Sequence, residues 1–340
     1  MNQSVILFGG SSGERLVSVA SAQNLVENFD FDAILYLDKS GLVFKITKEE
    51  LLSHANPFLN EFKPAAKSFA NSLDETLSFL KSKTVFLALH GTEGEDGKIQ
   101  SLFEKNKISF TASDSKASKN AFNKKISKSI VAEAGIATSA EFIFSNLDFA
   151  NQLQELVTFF KTHSKIVLKP LANGSSLGLF IVETQPDLLS AIEKIRSNGL
   201  GDYIAEKFIV GRELTVGIYE SQKGIIALPP SEVILNAGRS FDYEGKYLGK
   251  GTQEITPAQL NLQETQLVQK MALKAHSALH CFGYTRTDLI LTANGPIYLE
   301  TNTLPGLSRP SFIPQQLGAA KILFSDFIKQ QLFLAEKRNS

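Results

Sequence analysis

Short apolar runs alternate along this chain with longer stretches of helical period, the pattern of strands covered on both faces by helices. Residues 5–8, 33–37 and 84–89 are continuous apolar runs that predict buried strands, with a short further strand at 42–44. Val17, Ala20, Leu25 and Val26 predict a helix after the first strand, and 98–106 predicts another after the third long run. The mostly polar stretch 58–83 reads as helical. Residues 118–134 form a lysine-rich helical pattern with Lys119, Lys124, Lys125 and Lys128, closed by Gly135 in C-cap fashion. Most of those lysines are expected to be solvated, with one or two facing a ligand. Residues 165–170 and 179–182 predict a strand and its return, and 187–197 an amphipathic helix. Residues 203–209 and 213–218 predict strands whose spacing fits a hairpin about Val210-Gly211. A segment rich in Gly and Tyr, 231–250, reads as a mobile loop rather than an element. Helices at 262–280 and 319–337 complete the pattern.

One stretch concentrates chemistry: RTDLILTANGPIYLETNTLPG, residues 286–306. Two apolar runs flank Asn294-Gly295, a two-residue hairpin signal. Side chains alternate along a strand, so Glu300 and Asn302 share a face from which Thr301 turns away, and the hairpin brings Asp288 opposite them. Three hard oxygen donors, two of them anionic, suit Mg²⁺ with phosphate as a further ligand. Zinc fits poorly, since the run holds no His or Cys. Arg286 adds a cation, and Leu304-Pro305-Gly306 brings bare backbone to the same place. Such a site can hold phosphate and stabilise an oxyanion.

Three loops follow predicted strands. Gly9-Gly10-Ser11-Ser12-Gly13-Glu14-Arg15 has the outline of a dinucleotide loop without the G-x-G-x-x-G spacing, and Glu14 suits an ammonium group rather than a pyrophosphate. Residues 90–97, HGTEGEDG, lie at a strand's carboxyl end, where α/β sheets place ligands; His90 there reads equally as structural or catalytic. Lys169 precedes a loop of glycines and hydroxyls through Gly178 in a strand–loop–strand setting, which excludes a Walker-type loop but allows a phosphate flap. A polar turn at 113–115 marks a domain boundary.

The chain's 340 residues allow two or three domains. Lys plus Arg equals Asp plus Glu at 35 each, so no net field draws it to nucleic acid or an anionic membrane. Cys281 is the single cysteine, which rules out an internal disulfide and points to a reducing cytoplasm. The apolar run near Met1 is too short for a signal peptide or a span.

Seven motifs together resemble the D-alanine–D-alanine ligases of the ATP-grasp superfamily. They are GGSSGERLVS at 9–18, HGTEGEDGKIQ at 90–100, VLKPLANGSSLG at 167–178, EKFIVGRELTV at 206–216, DYEGKY at 242–247, RTDLI at 286–290 and ETNTLPGLSRPSFIP at 300–314. The resemblance runs from Val5 to about Leu317 and implies an α/β, three-domain ligase. An N-terminal parallel-sheet domain (1–112) would precede two ATP-grasp domains (113–204 and 205–340) enclosing the nucleotide.

The same resemblance implies ATP as a substrate, two Mg²⁺ or Mn²⁺ ions on Asp288, Glu300 and Asn302, two D-alanine molecules and a homodimer. Lys124 and Lys169 would meet ATP phosphates, aided by Ser175 and Ser176. Glu206, Lys207, Phe208 and Ile209 would line the adenine, and Glu213 the ribose. Glu14 would hold the first D-alanine's ammonium, linked to Ser175 and Tyr247. Arg286 and the Gly306 N–H would form the oxyanion hole, and Ser311 with Phe312 would receive the second substrate. Lys246 and His90 would approach the transferring phosphoryl group. Tyr247 favours an amine acceptor, because depsipeptide-forming relatives carry Phe there. Arg309-Pro310 is an unusual filling near the acceptor pocket, and Asn173 replaces a residue that is often acidic in the flap.

Overall fold

The continuous apolar runs become the centre of a sheet. A computed structural model describes residues 2–65, 67–145, 149–172, 178–197, 201–235 and 252–338. Its first sheet contains β1 (Gln3–Gly9), β2 (Ala33–Leu37), β3 (Val43–Ile46), β4 (Lys83–Leu89) and β5 (Ser109–Phe110), in the order β3-β2-β1-β4-β5. All neighbours are parallel except β3, which returns antiparallel against β2. Val5 to Phe8 and Val85 to Leu89 are buried, as strands covered on both faces must be. Helices α1 (Arg15–Asn28), α2 (Lys48–Ser53), α3 (Leu77–Leu80) and α4 (Lys98–Lys105) connect these strands. The Ser18 hydroxyl, on the first turns of α1, accepts from the Gly9 N–H at 2.7 Å and donates to the Ala88 carbonyl at 2.6 Å. Those two bonds fix the loops after β1 and β4 side by side.

The second sheet follows α5 (Ser115–Phe122) and α6 (Lys124–Glu133). It holds β6 (Glu141–Phe144), β7 (Ile166–Pro170), β8 (Phe180–Val182) and β9 (Tyr203–Lys207), antiparallel in the order β6-β9-β7-β8. Helices α7 (Phe149–His163) and α8 (Gln185–Ser197) lie between its strands in sequence, and α8 buries Leu188, Ile192 and Ile195 with Phe144, Leu168 and Tyr203.

The third sheet contains β10 (Arg212–Ser221), β11 (Gly224–Ala227), β12 (Ser231–Leu235), β13 (Thr252–Ile255), β14 (Tyr284–Thr292) and β15 (Gly295–Asn302). Its order is β13-β12-β10-β14-β15, with β11 pairing β10. Helix α9 (Leu262–Ala278) begins with an Asn261–Glu264 capping box and packs Val268, Ala272 and Ala275 on Leu214, Val216 and Leu289. After α10 (Phe312–Ala319), α11 (Phe324–Arg338) returns to the first sheet and buries Phe327, Ile328 and Leu332 in its core. Each such side chain contributes about 1.5–3 kcal/mol. Arg338 at its end sits over the Phe110 and Phe282 rings and donates to the Ala112 and Phe110 carbonyls.

Five expectations change. The 58–83 stretch is mostly turns, ending in the short α3, because Pro57 and Pro64 interrupt it and the chain near Ala70 pairs with Val43. The lysine-rich helix breaks at Asn123, whose Oδ1 accepts from the Ile126 N–H and starts α6 as a new helix. Strands β9 and β10 form no hairpin: β9 lies between β6 and β7, whereas β10 lies between β12 and β14 in another sheet. The start of the 231–250 loop is strand β12, and residues 236–251 lie outside the described residues. The final helix begins at Phe324, after a turn in which Lys321 takes φ +58°. No helix among the described residues is long and apolar enough to cross a membrane.

Candidate active site

The β14–β15 hairpin pairs Thr292 with Gly295, so it turns at Ala293-Asn294, one residue before the expected pair, and Gly295 (φ +110°) is already the first residue of β15. The hairpin sets Asp288 opposite Glu300 and Arg286 opposite Asn302. Between Asp288 and Leu289 the register shifts: Asp288 faces Glu300 but Leu289 faces Tyr298, which leaves Leu299 as an extra residue on β15. This bulge decides which way Glu300 points. Strict alternation would put Glu300 on the face of Tyr298, which is fully buried with α9. The added residue inverts the phase, so Thr287 and Thr301 are buried and bonded at 3.0 Å, while Arg286, Asp288, Glu300 and Asn302 share the open face.

On that face the acids are held by bases. Arg286 grips Asp288 with two hydrogen bonds of 2.9 and 2.8 Å, the Thr215 hydroxyl donates to Asp288 Oδ1 at 2.6 Å, and Asn302 Nδ2 lies 3.3 Å from Asp288 Oδ2. Lys124, at the start of α6, reaches Glu300 Oε2 at 3.2 Å. Two carboxylates and an amide, hard donors crowded enough to need cations, fit Mg²⁺ or Mn²⁺.

Across from the hairpin, the second sheet contributes Lys169 from β7 and Glu206 from β9, paired at 2.5 Å. Glu206 also takes Lys128 Nζ at 2.5 Å on its other oxygen. Burial pushes the Glu206 carboxyl up, but the charges of Lys169 and Lys128 outweigh it and hold it at about 2. Burial alone would lower Lys169; Glu206 and then Glu300 reverse this and raise it. The junction from Lys207 to Gly211 carries the chain between the two sheets. Its Phe208 N–H bonds the Lys165 carbonyl and its ring lies 4.0 Å from Lys165 Nζ, while Lys207 is exposed and Ile209 half-buried. Glu213 follows at the start of β10, opposite Ile290.

The first sheet supplies the third wall. Glu14 immediately precedes α1, and its carboxylate crowds Gly91: a Cβ there would sit 2.8 Å from Glu14 Oε2, and φ is +69°, so the position needs glycine. His90 is buried, with Nδ1 2.8 Å from the Leu304 carbonyl and Nε2 2.9 Å from Ser21 Oγ. A carbonyl only accepts, so Nδ1 carries the proton and Nε2 accepts from Ser21, whose oxygen accepts in turn from the Leu307 N–H. Burial lowers the His90 pKa, against an opposing pull from Glu14, so the ring is neutral. Glu95 accepts from the Gly91 N–H at 3.1 Å and the Leu304 N–H at 3.3 Å. Burial first and the Glu14 charge second raise its carboxyl to about 8.

Leu304 is therefore gripped on both its amide and its carbonyl. Leu307 is held likewise, with Asn24 donating to its carbonyl at 2.7 Å. The loop these contacts fix presents Gly306 against Ser311, whose hydroxyl bonds Ser308 at 2.6 Å and leaves the N-terminus of α10 uncapped. Phe312 starts that helix, with Arg286 5.8 Å from its ring centre.

Most expected residues thus converge: Glu14, His90, Arg286, Gly306, Ser311 and Phe312 on one side, Lys124, Lys169, Glu206, Asp288, Glu300 and Asn302 on the other. Asn173, Ser175, Ser176, Lys246 and Tyr247 lie outside the described residues. His90 has both ring nitrogens engaged by protein, at the Leu304 carbonyl and the Ser21 hydroxyl. Arg309 is 74% exposed and paired with Glu27 of α1. Glu95, Lys128 and Thr215 were missed. Lys124 and Lys128 at i, i+4 share a helix face, which was the available signal for the second.

Family models for the D-ala D-ala ligase N-terminus and C-terminus match residues 3–113 and 130–333. The chain is 32% identical to a D-alanine--D-alanine ligase of Leptospira interrogans, covering 97% of this chain and 98% of that protein. It is 33% identical to one of Flavobacterium johnsoniae, covering 98% and 99%. Among solved structures, the VanG D-Ala:D-Ser ligase of Enterococcus faecalis superposes with a TM-score of 0.84 at 26% identity, covering 98% of this chain and all of that one.

Proposed function

This chain belongs to the D-alanine–D-alanine ligase family, and on that premise we propose how its residues join two D-alanine molecules at the expense of ATP, for cell-wall peptidoglycan. The observation that carries the reading is the convergence of Asp288, Glu300 and Asn302 with Lys124 at one end of the hairpin.

A carboxylate is a poor electrophile. ATP therefore phosphorylates the first D-alanine, whose carboxylate oxygen bonds the γ-phosphorus as ADP departs. Lys124 and Lys169 face the phosphates, the junction from Glu206 to Ile209 lines the adenine, and Glu213 takes the ribose hydroxyls. Asp288, Glu300 and Asn302 would hold Mg²⁺ or Mn²⁺, two ions in all, which would offset charge on the phosphoryl oxygens. Glu14 holds the ammonium of the first D-alanine. The second D-alanine loses a proton from its ammonium, and its nitrogen attacks the acyl carbon. Arg286 and the Gly306 N–H stabilise the oxyanion until inorganic phosphate leaves. The Ser311 hydroxyl, not spent on capping α10, and the open helix N-terminus receive the second carboxylate beside Phe312. His90 and Glu95 position the loop that carries Gly306.

Residues 1–112, 113–204 and 205–340 act as three domains, the last two enclosing the nucleotide as an ATP-grasp. The protein works in the cytoplasm as a homodimer. A second acceptor, D-serine, is favoured by the likeness to a D-Ala:D-Ser ligase. Incubation with D-alanine, D-serine, D-lactate, ATP and Mg²⁺, with product identification, tests both readings. D-Alanyl-D-alanine equal in amount to ADP is expected; ADP release without any D-alanyl product would sink the proposal.

A further inference from the structure

Lys128 takes no part in the chemistry above, yet it is one of the most enclosed charges in the cleft, with a side chain 2% exposed. Its Nζ donates to Glu206 Oε1 at 2.5 Å and to Ser139 Oγ at 2.9 Å, and lies 2.7 Å from Glu141 Oε2. The Ser139 hydroxyl completes the cluster by donating to Glu206 Oε1 at 3.3 Å. Glu206 is itself buried, and its other oxygen belongs to Lys169. One carboxylate therefore sits between two ammonium groups of unequal access: Lys169 reaches the open cleft on a side chain 12% exposed, whereas Lys128 is sealed.

The inequality matters when phosphate arrives. A phosphate competes with Glu206 for the Lys169 charge, and a buried carboxylate whose counter-charge is drawn away is strongly unfavourable. We propose that Lys128 is a positioning residue for nucleotide binding: it is the resident counter-charge of Glu206, and it frees Lys169 to turn toward the phosphates. The inference rests on the reading of Lys169 as a phosphate ligand. Without Lys128, Glu206 would keep Lys169 for itself. Ligands that carry phosphates would then lose affinity, whereas a nucleoside, which asks nothing of Lys169, would not.

The test compares the wild type, Lys128→Met, Glu206→Gln and the double variant by calorimetric titration with ATP, ADP and adenosine in the presence of Mg²⁺. Lys128→Met should raise the Kd for ATP and ADP about tenfold or more and leave that for adenosine within about twofold. In the Glu206→Gln background, where the buried carboxylate is gone and only the partly exposed Glu141 still faces Lys128, the same substitution should change ATP affinity by less than about threefold. Unchanged ATP binding in Lys128→Met, an equal loss for adenosine and ATP, or a tenfold loss that persists in the Glu206→Gln background would each overturn the proposal. Should Lys128→Met fail to fold, Lys128→Gln, which keeps a donor for Glu206 but not the charge, takes its place in the same cycle with the same expected and refuting outcomes. A wild type that binds neither ATP nor ADP would overturn the nucleotide reading itself, and that result is visible before any variant is made.

Discussion

Gly306→Ala isolates one contact. Gly306 has no left-handed backbone angle, so alanine imposes no conformational strain, and its N–H remains to serve the oxyanion. The conflict is steric and single: a Cβ at 306 would stand 2.8 Å from Ser311 Oγ, while its other neighbours, Ser311 Cβ at 3.4 Å and Val17 Cγ1 at 3.8 Å, are at ordinary distances. Ser311 should relieve the clash by rotating about χ1, which would break its bond to Ser308 and withdraw the hydroxyl proposed to hold the second D-alanine's carboxylate. A hydrogen bond to a charged group is worth about 1.5–3 kcal/mol, so the KM for the second D-alanine should rise roughly 10- to 150-fold. The first-site KM and the KM for ATP should move little. Steady-state ADP release over a D-alanine titration, fitted to two sites, measures this. Ser311→Ala should show the same loss, and adding Gly306→Ala to it should cost no more than about a further twofold, because the clashing atom is gone. Losses that multiply in the double variant would refute the argument and place the harm at the Gly306 N–H.

Asn302→Ala should lower activity strongly and recover part of it at raised Mg²⁺ or Mn²⁺; wild-type activity at ordinary Mg²⁺ would remove Asn302 from the metal site. Glu95 holds in the folded state a proton that the unfolded chain releases at lower pH, so stability should fall as pH rises from 4.5 to about 8, by as much as about 5 kcal/mol. Glu95→Gln should abolish that slope in urea titrations at several pH values, and an identical slope in both proteins would deny the buried proton. Arg309→Ala breaks a surface pair worth about 0–1 kcal/mol, so the ratio of D-alanyl-D-alanine to D-alanyl-D-serine should hold within about threefold; a larger change would place Arg309 at the acceptor pocket.

What the sequence discloses is what neighbours along the chain decide. Continuous apolar runs identify β1, β2 and β4 because burial on both faces leaves no alternation, and Asn294-Gly295 marks a hairpin to within one residue, the turn itself being Ala293-Asn294. Partner choice is different. The residues around Val210-Gly211 fit a hairpin locally, and only competition among distant strands sends β9 and β10 to separate sheets. The bulge at Leu299 leaves no trace in a pattern of alternation, although it aims Glu300. Buried Lys128 and exposed Lys125 occupy one helix and look alike in composition. Arg309 pairs with Glu27, far away in sequence, a partner that no local pattern discloses.

The return of α11 to the first sheet sets an order of assembly. During vectorial synthesis β1 to β5 leave the ribosome early, yet the face that takes Phe327, Ile328 and Leu332 has no cover until α11 follows, long afterwards. The nascent N-terminal sheet must wait with that apolar surface open to water or to other chains. A synthesis interrupted before Phe324 would leave a chain holding nearly every catalytic group and lacking the helix that closes its first core.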